Sequence, residues 1–283
     1  MQDLIKQPHK TLSFTLLNRF NPDIIMSSES NASPRLGGKI DYKILAVILC
    51  LTLAYHVVNN AIKDITEEFN AIDIAELSLQ LVVMISAFII SKLYWPGKIF
   101  GRAYFALGVA FAMWFTAEVL WQIFENILFI EPYPSVADIF YFAFYPFAIY
   151  HMITNIRGFE VKITKKTKAW MIAIPVIIVS AYSYLAISSE GTNFHYYYSL
   201  IFVSIASTSI SFAILGAQSF RHSALAVVWS LLAVGLFFHT FADIWYYYLE
   251  IFGQYTDTHI VNALWQAGWM VIVYSLYRHQ KVL

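Results

Sequence analysis

Two short runs hold the residue types best suited to chemistry. Trp114, Glu118, Trp121 and Glu125 are spaced four, three and four residues apart, and so are His239, Asp243, Tyr246 and Glu250. On a helix such positions share one face. Both runs are otherwise apolar. An ionisable side chain inside a membrane span is costly and faces a bundle interior or a cavity. Three kinds of chemistry fit. The carboxylates can hydrogen-bond Tyr hydroxyls, Trp N–H groups and Asn262, holding helices in register. Acidic groups among aromatic walls suit a small cation or amine, by charge pairing and cation–π contact. His239 and Asp243, one turn apart, have the spacing of a metal or proton site, with His259, Glu118 or Glu125 as additional donors. A single His-x-x-x-Asp pair has low specificity, because helical spacing produces it by chance.

The elements that position these residues follow from composition. Of 283 residues, 59% are hydrophobic and 13% charged, where a soluble domain is about a quarter charged. The formal net charge of zero gives no overall basic signal for nucleic acid. Cys50 is the single cysteine, so neither a disulfide framework nor a cysteine metal cluster is expected. A spanning helix needs roughly 20 apolar residues. Eight runs qualify, at 44–62, 74–94, 99–124, 136–155, 169–187, 196–217, 223–249 and 259–278. The expected class is therefore an all-α polytopic membrane protein with eight transmembrane helices in a lipid bilayer. Pro146 and Pro175 fall inside predicted helices, which membrane helices tolerate, usually with a kink.

Charge alternates between the links. Lys39 and Lys43, then Lys92, Lys98 and Arg102, then Arg157, Lys162, Lys165, Lys166 and Lys168, then Arg221, then Arg278 and Lys281 mark every second one. The others carry Asp64, Glu67, Glu68, Asp73, Glu131, Glu190, Glu250 and Asp257, with Lys63 as their only base. The positive-inside rule then puts both termini in the cytoplasm of a multi-pass cell-membrane protein. Residues 1–41 read as a polar, disordered cytoplasmic tail without signal-peptide character, and Met26 offers an alternative start.

The halves match at an offset of about 125 residues. Beyond the two runs above, Asp138, Tyr141 and Tyr145 face Asn262, Trp265 and Trp269 at an offset of 124. The expected organisation is two parallel four-helix repeats, 42–157 and 158–283. A vertical pseudo-twofold axis would bring helices three and seven together around an outward-facing pocket. Glu118, Trp121, Glu125, Asp138, Asp243, Tyr246 and Glu250 are its expected lining. Glu76 and Gln80 read as an entry path or as solvated residues, and His56, His195, His151, His222 and His279 as interfacial residues. No phosphate loop, His-Glu-x-x-His or Gly-x-Ser-x-Gly motif is present. No Lys lies deep in the last run, which argues against a retinal Schiff base. The sequence names no cofactor.

Between Glu118 and Pro146 the chain runs through Trp121, Pro132-Tyr133-Pro134-Ser135-Val136-Ala137-Asp138-Ile139-Phe140-Tyr141 and Tyr145-Pro146. This pattern resembles a membrane-embedded region found N-terminal to many bacterial diguanylate cyclase and phosphodiesterase proteins. The segment from Ala242-Asp243 to Trp269 resembles the last part of that region. The resemblance implies a sensor that feeds a cytoplasmic signalling domain. This chain ends shortly after its eighth run, so the expected output is a separate cytoplasmic signalling partner. The same segment also has a purely structural reading: Ser135 caps a helix and Asp138 sits at the positive end of its dipole. An intramembrane metal-dependent hydrolase and a small-solute transporter are the alternatives to a sensor.

Overall fold

Hydrocarbon offers no partner for a backbone N–H or C=O, so a chain this apolar satisfies them within helices. The computed structural model describes residues 40–63, 70–97, 99–158 and 163–282. Among them are eight helices long and apolar enough to cross a membrane: α1 (Tyr42–Lys63), α2 (Ala71–Tyr94), α3 (Ile99–Ile123), α4 (Ala137–Gly158), α5 (Lys165–Glu190), α6 (Phe194–Ser219), α7 (Ala226–Ile251) and α8 (Ile260–Val282). The protein is an all-α polytopic membrane protein. Most helices run a few residues past the apolar runs, because apolarity marks the hydrocarbon whereas backbone hydrogen bonding continues into the interface. α7 instead starts at Ala226, after turns through Ser223. Helices α4 and α5 continue through Pro146 and Pro175. The expected tail, 1–41, lies outside the described residues up to position 39, as do Lys98, Lys162, Asp64, Glu67 and Glu68.

Polar residues set the helix starts. Asn70 and Asp73 form a reciprocal capping box on α2, and Thr164 and Asn193 cap α5 and α6. α3 ends in a π-helical turn, Phe124–Leu128, closed by Phe129 in the left-handed region at φ 53°. Such turns recur at functional sites, and this one contains Glu125.

α3 packs between α2 and α4, and α7 between α6 and α8. The two groups join where α4 meets α6 and α8 meets α2. α1 lies on α8, while α5 lies on α6 and touches α7. In their most apolar windows only 11% of α1 and of α5 is buried, against 50–61% of α3, α6, α7 and α8. α1 and α5 are thus peripheral, and six helices enclose the core. Hydroxyls stitch this core together: Ser91 donates to the Gly101 carbonyl at 2.8 Å and Ser275 to the Val228 carbonyl at 2.8 Å. With little hydrophobic force between helices in lipid, such bonds and close packing supply cohesion.

The end of the bundle where the basic links lie contains a buried polar cluster. Tyr104 stands between His151 and His279, with ring centroids 4.7 Å from each, and His151 stacks on Trp229. His151 and His279 are fully buried, which corrects the expectation of interfacial residues; aromatic rings from α2, α3 and α7 close over them. His222 is exposed, in keeping with that expectation. The Tyr104 hydroxyl has no hydrogen-bond partner. A buried hydroxyl without one costs about 1–3 kcal/mol. Tyr104→Phe is therefore expected to raise the melting temperature in detergent, and a lowered one would show that the hydroxyl is satisfied.

Candidate functional site

The acidic end encloses a cavity of about 120 Å³. That is close to the size of roughly 150 Å³ that accommodates a benzene-sized molecule. α3 contributes Trp114, Glu118 and Trp121, with Glu125 from its π turn. α7 contributes Asp243, Tyr246 and Tyr247, and α4 contributes Asp138, Tyr141 and Tyr145. Trp265, Gln266 and Trp269 come from α8, and Asp73, Glu76 and Gln80 from α2. A wider vestibule of about 790 Å³ adjoins it, lined by Glu131, Tyr133, His195, Glu250 and others. Trp121, Glu125, Tyr255 and Asp257 line both spaces and so form the boundary, here called the neck, at which they adjoin.

Six of the seven residues expected from the sequence line the inner cavity, and Glu250 lines the vestibule. α3 and α7 meet through side chains, Trp114 lying against His239 with ring centroids 5.3 Å apart. The floor is hydrogen-bonded. The Trp114 indole donates to Glu118 at 2.9 Å, and the Trp265 indole to Asp243 at 2.8 Å. The Tyr145 hydroxyl also donates to Asp243. Tyr141 and Gln80 face Glu118. Asp138 has a divided role: one carboxylate oxygen accepts from the Ser135 backbone N–H at 2.7 Å, while the Ser135 hydroxyl accepts from Ala137 at 3.1 Å. The cap expected at Ser135 is present, and its partner still lines the cavity.

His239 does not line the cavity. It lies beneath the floor, with ring centroids 4.1 Å from Trp269, and the two indoles Trp114 and Trp269 separate it from the space above. Both Asp243 oxygens are engaged by Tyr145 and Trp265. Among the described residues no three His, Cys, Asp or Glu side chains gather as a metal would need. The metal reading of His239 with Asp243 gains no third donor.

The cavity's electrostatics are one-sided. Asp73, Glu76, Glu118, Glu125, Asp138, Asp243 and Asp257 line it, and among the described residues no Lys, Arg or His does. Gln80 is 3% exposed and its carbonyl oxygen lacks a donor. At the neck, burial first and the neighbouring Asp257 second push the Tyr255 hydroxyl well above its ordinary pKa. It stays neutral and donates to Asn262 at 3.0 Å.

Sequence reasoning missed several of these positions. Glu76 and Gln80 are ambiguous in the sequence between entry path and solvated residues, Asp73 reads there only as an acid of an outer link, and Asn59 only as a neighbour of His56; all four line the cavity. Asn59 donates to the Asp257 carbonyl at 2.7 Å, pinning the α7–α8 loop over the cavity. Tyr141, Tyr145, Trp265 and Trp269 already stood in the internal alignment; their shared periodicity with Asp138 and Asn262 was the signal. No protein-family model matches the chain, and no curated protein or solved structure matches it.

Proposed function

We propose that this protein is a membrane sensory module that binds a small organic cation in the acidic–aromatic cavity and signals through a separate cytoplasmic partner. One observation carries the proposal: seven carboxylates and ten aromatic rings line a single cavity that, among the described residues, no cationic side chain enters. Carboxylates crowded in a low-dielectric site call for protons or a cation. Aromatic faces favour an organic cation over a hydrated metal ion. The positive-inside rule turns the vestibule outward and leaves both termini in the cytoplasm of a cell-membrane protein. The resemblance to membrane regions of diguanylate cyclase and phosphodiesterase proteins leads the same way.

The duplicated architecture belongs to this proposal. Trp265 of α8 donates to Asp243 of α7, as Tyr141 of α4 faces Glu118 of α3. The Val261 N–H donates to His259 Nδ1 at 3.2 Å, where the Ala137 N–H donates to Ser135 at the matching place. The pairing of α4 with α6 has its counterpart in α8 with α2. These repeats support a four-helix duplication in which the peripheral helices α1 and α5 have diverged. The aromatic–histidine cluster packed into the bundle at the basic end supports a sensor over a transporter.

The test is thermal stabilisation of detergent-purified full chain by primary and quaternary alkylamines. Millimolar amine is expected to raise the melting temperature by several degrees. Equal stabilisation by sodium chloride at the same ionic strength would overturn the proposal.

A further inference from the structure

The carboxylates stand in two layers. Glu118 and Asp243 form the inner one, at the cavity floor; Glu125 and Glu250 stand seven residues further toward the acidic end on the same two chain segments. Seven residues of helix rise about 10 Å. Midway between the layers lie Trp121 on one side and Tyr246 on the other, both lining the cavity. Glu125 belongs to both the inner cavity and the vestibule, so the two layers stand on adjoining spaces.

From this spacing we infer that the preferred ligand is a linear diamine or polyamine with terminal nitrogens about 10 Å apart. The inference rests on the organic-cation reading of the cavity and sharpens it. One ammonium sits at the floor. There it meets the inner carboxylates and supplies an N–H donor to Gln80, which lines the cavity and whose buried carbonyl oxygen has no donor. The alkyl chain passes between Trp121 and Tyr246, which fit methylenes and any secondary ammonium. The second ammonium reaches Glu125 and Glu250 at the neck and vestibule. An extended chain covers about 1.2 Å per bond, so about 10 Å corresponds to eight or nine bonds between nitrogens. Diaminooctane and spermidine have that length, whereas diaminobutane is too short.

The probes are octylamine, diaminobutane, diaminooctane and spermidine, titrated into the detergent-purified full chain by calorimetry. Diaminooctane and spermidine are expected to bind about 30-fold more tightly than octylamine, the order of one further desolvated cation contact. Diaminobutane should gain little over octylamine. Glu125→Gln with Glu250→Gln should bring the affinities of diaminooctane and spermidine down to that of octylamine measured on the same variant, removing the advantage of the long diamines. Glu250→Gln alone, in the open vestibule, repeats the test if the double variant does not fold. Equal binding of octylamine and diaminooctane would overturn the two-layer site and leave the organic-cation reading standing. Binding of none of the four would overturn both.

Discussion

Gly268→Leu is expected to destroy the fold, with loss of a monodisperse peak on size exclusion in detergent. At this point α7 and α8 cross closely enough for backbones to approach. A Cβ on Gly268 would lie 2.8 Å from the His239 ring and 3.1 Å from the Gly235 carbonyl oxygen. A Cβ on Gly235 would lie 3.1 Å from the Gly268 carbonyl oxygen in turn. The two glycines therefore face one another, and backbone atoms cannot move aside as a flexible side chain can. His239 has no room either, being 2% exposed and packed on Trp114 and Trp269. Overpacking of a filled core costs about 1–3 kcal/mol per insertion and sometimes more. Leu adds several atoms against backbone that cannot give way, so more than about 3 kcal/mol is expected, a large share of the about 5–15 kcal/mol that separates a native protein from its unfolded state. Gly268→Ala should be milder, with a lowered melting temperature and a retained fold. A Leu variant that elutes and melts like wild type would show that the α7–α8 crossing is looser than its geometry.

Replacing Asp243 should separate architecture from binding. Asp243→Leu leaves the Tyr145 hydroxyl and the Trp265 indole without their shared acceptor. Each orphaned donor costs about 1–3 kcal/mol when buried. A loss of about 3 kcal/mol is expected, seen as a lower melting temperature with or without amine. Asn at the same place keeps the volume and an acceptor oxygen while removing the charge. Asp243→Asn combined with Glu118→Gln should therefore melt within a few degrees of wild type yet lose amine stabilisation altogether. The affinity should fall at least about 100-fold, since breaking a buried charge pair costs about 3–5 kcal/mol. If the double variant still responds to amines as wild type does, these two carboxylates are structural and the cation binds elsewhere. That pair of results also distinguishes the register-holding role of the carboxylates, which the hydrogen bonds show, from the binding role proposed for them.

Much of this was legible in the chain itself. Helix count follows from the length of apolar runs, because a membrane leaves the backbone no alternative to helix. The 4-3-4 spacing of Glu118 and Asp243 with their neighbours places them on one helix face by geometry alone, before any partner is known. The start of α4 follows from Ser135, whose side chain takes up a free N–H group; Asn70, Thr164 and Asn193 do the same for α2, α5 and α6, which begin ahead of their apolar runs. Local rules did not reach three further features. The π turn at Phe124–Leu128 carries no signature in an apolar sequence. His239 shares a face with Asp243 in sequence, yet only the packing of Trp114 and Trp269 shuts it away from the cavity. His151 and His279 have the polarity of interfacial residues, and their burial depends on rings supplied by three other helices. Periodicity and cost in lipid are properties of one segment and its solvent, so the sequence determined the helices and their polar faces. Which faces meet, and which polar atoms are left inside without partners, depends on the packing of segments distant in the chain, and only the tertiary structure decided it.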